Sequence, residues 1–432
     1  MQVTHMLGEG VTFHYLPTDK FTTDYFSVHF ILPLSAETVS GYSLLTKLFK
    51  KGCSSYPTQE LLAKRLEELY SASLGISVSK QGERQMISVG METLSSRFIF
   101  DGAPVFEEAF RLLCEVIASP YLENGVFPSA SVEREKKALT AQLRSTVNDK
   151  RKYAMKRCRE IMCEGERYSL ALEGTEDGIA ACTPQSLYAL YLQMLREATL
   201  EIFYIGRESE SMARAYAEQL LLRLGTRAPV SQPTEIKTRA ISEKHVEETV
   251  DAVQGKLAIG FRTGLSKTTT QKQKDAILLM NLLYGTSPLS KLFMNVREKL
   301  SLCYYCTSRN DSQKGVLFVQ SGVENENAEK ALAEILLQLS EIRKGNITDD
   351  EMLCAKQAFR DLTRSVADSP YLLEQWYLTR TLQGDRRPPE QINTEIEGLT
   401  VADVADAAQR MTLDTVFFLK GTARKEHIDE NV

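Results

Sequence analysis

The sequence predicts an α+β protein built from two similar halves, each an antiparallel-rich sheet with helices packed on one face. Its 432 residues are enough for two or more domains. Both halves run through the same order of predicted strands and helices, although their residues barely match. A polar segment without sustained periodicity, residues 229–245, separates them. We therefore expect an N-terminal domain of residues 1–228, a linker, and a C-terminal domain of residues 246–432.

The first half alternates between strand-like and helix-like patterns. Apolar-rich or alternating runs predict strands, and apolar stripes at three- and four-residue spacing predict helices. On these grounds we expect strands at residues 25–34, 73–80 and 85–92, and helices at residues 41–50, directly after residue 57, at residues 106–118 and, as one long charged helix, at residues 129–163.

The second half repeats this order. We expect strands at residues 256–262, 302–308 and 315–322, and helices at residues 274–283, 287–300, 328–343 and 349–364. Two copies of the same order of elements favour two sheets, each with its helices segregated to one face.

Composition excludes several classes of function. The net charge of -5 gives no reason to expect nucleic acid or an anionic membrane surface as a partner. No apolar run approaches the roughly 20 residues that a membrane span needs. The N-terminal residues lack the basic start and apolar core of a secretory signal. Eight scattered cysteines are typical of reduced thiols, so we expect a cytoplasmic protein.

Two of these cysteines, Cys303 and Cys306, form a C-x-x-C motif. The surrounding residues are strand-like, and residues three apart on a regular strand point to opposite faces. That geometry makes a shared metal or a disulfide awkward. We therefore interpret them as ordinary half-buried thiols, with a redox or metal role as the less favoured alternative.

No complete catalytic motif is present. The chain has five histidines, none at the spacing of H-E-x-x-H or H-x-x-E-H. The nearest approach to a metal motif, His245 with Glu248, is interpreted as a solvated surface pair. A nucleophile elbow, a phosphate-binding loop and a dinucleotide fingerprint are absent from the sequence as well.

Residues 287–307 combine a helix-like and a strand-like pattern, and they carry Arg297 and Tyr304. Arginine offers a rigid fork of N–H donors and tyrosine a hydroxyl. Two such donors at a helix-to-strand junction can hold a peptide carbonyl or a developing oxyanion. The alternative is that Arg297 is a solvated helix charge and Tyr304 a half-buried strand residue.

Several segments in the right order resemble the insulinase/pitrilysin family of zinc peptidases. The strongest match is LLYGTSPLSKLFMNVREKLSLCYYCTSRND, and FKKGCSSYPTQELLAKRLEELYSASLG and VEREKKALTAQLRSTVNDK match in the first half. The resemblance covers nearly the whole chain. It implies the duplicated fold of that family.

The resemblance also implies where a zinc site would lie. The family's H-x-x-E-H helix falls on residues 43–47, so Ser43 and Lys47 occupy the histidine positions and Thr46 the general-base position. The third ligand falls at Thr140, or at Gln142 if the register slips. None of these side chains is a good zinc ligand, and the Lys47 ammonium opposes a cation. We therefore expect no catalytic zinc and no other cofactor.

Arg297 and Tyr304 match, in type and spacing, a family pair that holds the substrate backbone. The resemblance thus keeps the peptide-holding positions but not the zinc ligands. It implies a zinc-less, non-catalytic subunit whose partner is a homologous H-x-x-E-H zinc peptidase. This subunit would bind peptide or unfolded polypeptide. Among zinc-less members it resembles a bacterial group associated with 5-aminopentanol modification of elongation factor P. Three alternatives stay open: a scaffold without proteolysis, an active peptidase with atypical ligands, and a homodimer formed without the partner.

Overall fold

The computed structural model describes residues 2–422. The contacts between these residues divide the chain into two compact units. Unit 1 takes in residues 2–144, 170–234 and 365–388, and unit 2 takes in residues 145–169, 235–364 and 389–422. Each unit thus includes one segment from the other half of the chain. The change of unit at residue 234 falls inside the predicted linker, and residues 229–243 have no regular secondary structure.

Unit 1 contains a six-stranded sheet in the order β1-β2-β6-β3-β5-β4. Strand β6 runs parallel to β2, and the other neighbouring strands are antiparallel. The strands are β1 (Val3–Gly8), β2 (Val11–Pro17), β3 (Thr23–Pro33), β4 (Ser73–Gln81), β5 (Arg84–Leu94) and β6 (Thr199–Gly206).

Alternate residues of the central strand show where the core of unit 1 lies. Phe26, Val28, Phe30 and Leu32 of β3 are buried in one large apolar cluster with the helices, as the two-residue period of a strand requires. The helices of the first half are α1 (Val39–Phe49), α2 (Gln59–Glu68), α3 (Val105–Ala118), α4 (Ser129–Ser145), α5 (Lys150–Met162), α6 (Glu176–Ala181), α7 (Pro184–Glu197) and α8 (Glu210–Leu224).

Unit 2 contains a five-stranded sheet in the order β7-β11-β8-β10-β9. Its strands are β7 (Lys244–Val250), β8 (Gly255–Arg262), β9 (Cys303–Asp311), β10 (Val316–Val323) and β11 (Thr412–Gly421). The helical elements of the second half of the chain are α9 (Gln271–Asn281), two π-helical segments (Leu282–Thr286 and Leu292–Lys299), α10 (Ala328–Arg343), α11 (Asp349–Val366), α12 (Pro370–Thr381), α13 (Pro389–Glu397) and α14 (Val401–Gln409).

The two sheets repeat one topology. Strands two to six of the chain are arranged as β2-β6-β3-β5-β4, and the next five as β7-β11-β8-β10-β9. The first pair in each order is parallel and the rest are antiparallel. This correspondence confirms the predicted α+β fold with two homologous halves.

The exchanged segments add a helix to the second face of each sheet. In unit 1, α12 packs against β3 and β6. In unit 2, α5 packs against β8 and β11 and shares an apolar cluster with Phe318 and Phe417. Local sequence patterns indicate helices on one face only, because they contain no signal for a helix that packs on a sheet formed by distant residues. Among residues 2–422, no helix is long and apolar enough to cross a membrane.

The long helix predicted at residues 129–163 was wrong as a single element. It is two helices, α4 and α5, separated at residues 146–149. The Asp149 side chain accepts a hydrogen bond from the Lys152 backbone N–H at 3.1 Å and so caps the start of α5. The break matters because α4 belongs almost entirely to unit 1, whereas α5 belongs to unit 2.

Candidate functional site

The predicted histidine and general-base positions lie on α1, in the interior of unit 1. Ser43 and Thr46 are both buried. The Ser43 hydroxyl donates a hydrogen bond to the Leu172 carbonyl oxygen at 2.6 Å, and the Thr46 hydroxyl donates one to the Ser43 carbonyl oxygen at 2.8 Å. Both hydroxyls therefore satisfy backbone groups around α1, as buried polar groups are expected to do.

Lys47 joins α1 to α4. Its ammonium donates a hydrogen bond to the Gln142 side-chain oxygen at 3.3 Å. Four residues further on, the Lys51 ammonium lies 3.0 Å from the carboxylate of Glu135, which is buried. Glu135 and Gln142 are seven residues apart and share one face of α4. Of the two predicted third-ligand positions, the structure thus brings Gln142 to Lys47, while half-buried Thr140 takes part in neither bond.

These residues do not form a metal site. Hydroxyls bonded to the backbone, an amide and an ammonium offer no deprotonated ligand set for zinc. Over residues 2–422, no three His, Cys, Asp or Glu side chains are grouped so that they could hold a metal ion. The Lys47 charge adds electrostatic repulsion for any cation beside Gln142.

The proposed surface pair of His245 and Glu248 was wrong. The His245 side chain is exposed and lies 3.7 Å from Glu243. The Glu248 carboxylate instead accepts hydrogen bonds from the Tyr153 hydroxyl and the Arg157 guanidinium, both at 2.9 Å. Residues three apart on β7 point to opposite faces, so the two side chains cannot meet.

Arg297 lies on the second π-helical segment of unit 2. Its guanidinium carbon sits 4.8 Å from the ring centre of Phe293, and its Nε lies 3.5 Å from the Glu298 carboxylate. The side chain is 43% exposed, so its N–H donors are open to a ligand. The apolar stripe predicted for an α-helix here is only partly buried, since Leu289 and Leu300 are exposed. Leu289 lies in the turn before this segment and Leu300 directly after it, so neither belongs to its helical face.

Tyr304 lies near the start of β9, the edge strand of its sheet, which packs against the segment that carries Arg297. Tyr305 pairs with Gly322 and Cys303 with Val323, so Tyr304 is the extra residue of a β-bulge. Its side chain is 55% exposed. Its hydroxyl donates a hydrogen bond to the Glu324 carboxylate at 2.7 Å.

The same bulge overturns the prediction that Cys303 and Cys306 face opposite ways. Cys306 pairs with Ser321 and Cys303 with Val323, two residues apart on β10, so both thiols lie on one face. Both are buried. A hydrogen bond with Cys306, helped by Ser321 and the nearby Arg297 charge, outweighs burial and lowers the pKa of the Cys303 thiol to about 7. The hydrogen bond with Cys303 and burial raise the pKa of the Cys306 thiol.

Comparisons with known proteins place this architecture in a family. A family model described as the peptidase M16 inactive domain matches residues 181–359. The chain is 30% identical over 413 residues to the probable inactive metalloprotease YmfF of Bacillus subtilis, covering 96% of both proteins. The chain belongs to the peptidase M16 family. This is the insulinase/pitrilysin family that the sequence motifs resemble, so that prediction is confirmed.

Solved structures share this fold over nearly the whole chain. A conserved protein from Enterococcus faecalis V583 has a TM-score of 0.89 and 30% identity, with 98% of this chain and 100% of that chain covered. A peptidase M16 inactive domain from Pseudomonas fluorescens has a TM-score of 0.78 at 20% identity, covering 98% and 99%. The second likeness shows the shared fold alone.

For this M16 member, sequence reasoning missed the partner of Tyr304. Glu324 follows directly after β10, and Val323 at the end of that strand pairs with Cys303. The register of the β9–β10 pair therefore brings Glu324 alongside Tyr304. Pairing the two predicted strands from their connecting turn would have placed Glu324 at the same end of the sheet.

Proposed function

We propose that this M16 homologue is the non-catalytic subunit of a heterodimeric zinc peptidase, in which it helps to close the chamber and holds peptide through Arg297 and Tyr304. One contrast carries the proposal. The polar groups of Ser43, Thr46 and Lys47 form hydrogen bonds within unit 1. In contrast, Arg297 and Tyr304 are about half exposed. A chain without its own metal ligands can still donate hydrogen bonds to a peptide.

The chemistry of the pair fits a peptide carbonyl. Arg297 presents a charged, planar set of N–H donors, and Tyr304 a hydroxyl. If a water activated by a partner's metal attacked the carbonyl carbon of a peptide bond, negative charge would develop on the carbonyl oxygen. Donors already placed at that oxygen stabilise the charge more strongly than they stabilise the ground state. The family resemblance assigns this role to these two positions.

The first prediction concerns both donors. We expect Arg297→Ala and Tyr304→Phe each to lower peptide hydrolysis by the reconstituted pair about a hundredfold, the typical effect of removing one oxyanion donor. The tagged chain is purified from its native host to recover an H-x-x-E-H homologue, and kcat/KM is measured with a fluorescence-quenched peptide. Full activity of both variants would exclude a role for the two donors.

Matched controls separate this role from surface changes. Tyr70 is an exposed tyrosine whose hydroxyl donates to Asp101 at 2.8 Å, much as Tyr304 donates to Glu324. Arg309 is an exposed arginine on β9. Tyr70→Phe and Arg309→Ala should leave kcat/KM unchanged. Equal losses in the controls and in the donor variants would show a nonspecific effect.

The second prediction concerns Glu324. The Glu324 carboxylate already accepts a hydrogen bond from the Tyr304 hydroxyl, so a peptide carbonyl must compete with this carboxylate. Replacing it, as Glu324→Ala, should tighten peptide binding about three- to tenfold, since a typical hydrogen bond contributes roughly 0.6–1.4 kcal/mol. Fluorescence anisotropy with a labelled, reduced and carboxymethylated polypeptide measures the Kd. Asp101→Ala, which frees Tyr70 in the same way, should leave the Kd unchanged, and weaker binding by Glu324→Ala would contradict the competition.

A second candidate function is a scaffold without proteolysis. The Tyr304–Glu324 hydrogen bond favours it, because that tyrosine already has an acceptor in the absence of peptide. Recovery of only a non-peptidase complex from the native host would support this alternative over a heterodimeric peptidase. In either role we place the protein in the cytoplasm, since its eight cysteines are all free thiols in the structure.

A further inference from the structure

The C-x-x-C motif takes no part in the proposed function, yet the structure gives it an unusual arrangement. A regular strand would separate Cys303 and Cys306 by about 10 Å and turn them to opposite faces. The bulge leaves Tyr304 without a pairing partner on β10. As a result, both thiols lie on the face of the sheet that carries Ser321. There the two buried thiols lie two positions apart in the pairing with β10.

The two thiols are not equivalent. Cys303 is the first residue of the edge strand and follows Ser301, an exposed residue in the left-handed region with φ of 48°. It is 9% exposed, whereas Cys306 is 2% exposed. Arg297 adds a positive charge near Cys303, which favours the thiolate. Cys303 is thus the thiol built to react first, with Cys306 beside it as the second.

The other cysteines show that this environment is particular to the pair. Burial raises the pKa of the Cys53 thiol to about 11, of Cys114 to about 12 and of Cys163 to about 11. Burial also raises the pKa of the Cys182 thiol. Of the eight cysteines, all within the described residues, Cys354 is the one that is not buried.

We propose that Cys303 and Cys306 form a redox-active dithiol that is oxidised by a low-molecular-weight disulfide. The reactive thiol lies at the start of an edge strand, the bulge turns a second thiol to the same face, and Arg297 lies on the segment that packs against this strand. This combination is typical of reversible thiol switches.

The reaction proceeds by two exchanges. The Cys303 thiolate attacks one sulfur of the disulfide RSSR, forming a mixed Cys303–S–S–R bond and releasing RS⁻. The Cys306 thiol then attacks the Cys303 sulfur, forming the Cys303–Cys306 bond and releasing a second thiolate. The Cys306 proton and one solvent proton end on the two leaving thiolates. Two protein thiols are oxidised and one RSSR is reduced to two RSH.

Closing this disulfide would move Tyr304. A disulfide requires Cα atoms within about 7 Å, so the bulge must tighten around the residue it contains. Oxidation should therefore displace the Tyr304 hydroxyl and weaken peptide binding. That consequence rests on the proposed function, whereas the thiol chemistry does not.

The test uses the full-length chain carrying Cys354→Ser, which removes the most exposed competing thiol. The reduced protein is equilibrated at pH 7.5 in buffers of oxidised and reduced glutathione, quenched in acid, alkylated and mapped by peptide mass spectrometry. We expect a Cys303–Cys306 disulfide before any other cysteine is modified, and full reversal by dithiothreitol. Modification of other cysteines while this pair stays reduced would overturn the proposal.

Single replacements test the order of the two steps. In Cys306→Ser we expect glutathione to accumulate on Cys303 as a mixed disulfide. In Cys303→Ser we expect Cys306 to stay unmodified. Glutathionylation of Cys306 at the same rate in Cys303→Ser would overturn the assigned roles. Peptide binding by the oxidised protein is measured separately: unchanged binding with a formed disulfide would refute the link to Tyr304 and leave the dithiol chemistry standing.

Discussion

Replacing Glu166 by alanine should destabilise unit 2 by about 3–5 kcal/mol, the usual cost of removing one partner from a buried ion pair. Glu166 is 3% exposed and lies at the end of the exchanged segment 145–169. Its carboxylate meets the Arg262 guanidinium at 2.8 and 3.2 Å, the Lys314 ammonium at 2.6 Å and the Lys237 ammonium at 3.2 Å.

The size of the effect follows from what remains after Glu166 is removed. Arg262 and Lys314 are almost fully buried, and Arg262 also pairs with Asp414 at 2.8 Å. A buried charge without its counter-ion is costly in a medium of low polarity. Burial raises the pKa of Glu166, but Arg262 and Lys314 outweigh it and hold that pKa at about 2. The shift corresponds to roughly 3 kcal/mol.

Thermal unfolding with a matched control tests this prediction. We expect Glu166→Ala to lower the melting temperature by about 10 °C, given a few degrees per kcal/mol for a unit of this kind. Glu164, two residues away, forms an exposed ion pair with Lys244 at 3.3 Å, and Glu164→Ala should cost less than 1 kcal/mol. Limited proteolysis within residues 145–169 should be faster in Glu166→Ala alone. Equal melting temperatures for the two variants would show that the cluster does not hold the segment.

Local patterns predicted six of the eleven strands in residues 2–422 and missed β1, β2, β6, β7 and β11. Alternation identified β3, β5, β8 and β10 because side-chain burial on a strand repeats every two residues. The bulge at Tyr304 depends on the register with β10, so no pattern within β9 contains it. The strand β6 was missed, although it is central in its sheet between β2 and β3. Its apolar run in residues 199–206 is short and stands between two helices.

The candidate site shows the same division. The family resemblance implies zinc-site positions at Ser43 and Lys47 and a peptide-holding pair at Arg297 and Tyr304, and it left the third-ligand position between Thr140 and Gln142. The contact of Lys47 with Gln142 decides which of the two lies beside α1, and it depends on how α4 docks. Other contacts between residues far apart in the chain could not be predicted from local patterns either, because they also depend on how the elements dock.

The exchange of segments between the units is the largest feature that local patterns could not predict. Glu166 contacts Arg262, 96 residues away, and Glu374 contacts His29, 345 residues away. Each exchanged segment therefore carries one buried glutamate that binds the sheet of the unit it joins. We infer that these two carboxylates anchor the exchanged segments.

The second anchor leads to a prediction about pH. Glu374 of α12 is fully buried in unit 1. His29 lies 2.8 Å from its carboxylate, the Tyr25 hydroxyl donates to it at 3.2 Å, and the Ser27 hydroxyl donates to it as well. Burial raises the pKa of Glu374, but the His29 charge and these hydrogen bonds outweigh burial, and the pKa is lowered below its ordinary value.

A carboxyl whose pKa is lowered by folding stabilises the folded state above its unfolded pKa, near 4.5, and loses that contribution as the pH falls. We therefore expect Glu374→Gln to be less stable than the wild type by about 3 kcal/mol at pH 7, since it removes a buried charge from its partners. Below about pH 4.5 the difference should shrink, because the unfolded wild-type chain takes up a proton at this carboxyl while the folded chain does so only at a lower pH.

Melting temperatures measured from pH 7 to pH 3.5 would show this convergence. Asp368 lies in the same exchanged segment and forms an exposed ion pair with Lys20 at 3.4 Å, so Asp368→Asn should follow the wild type throughout. A constant gap between Glu374→Gln and the wild type down to pH 3.5 would mean that Glu374 stabilises unit 1 by packing rather than by its charge. A gap that closes would assign the anchoring of α12 to the ionised carboxylate and its hydrogen bonds to β3.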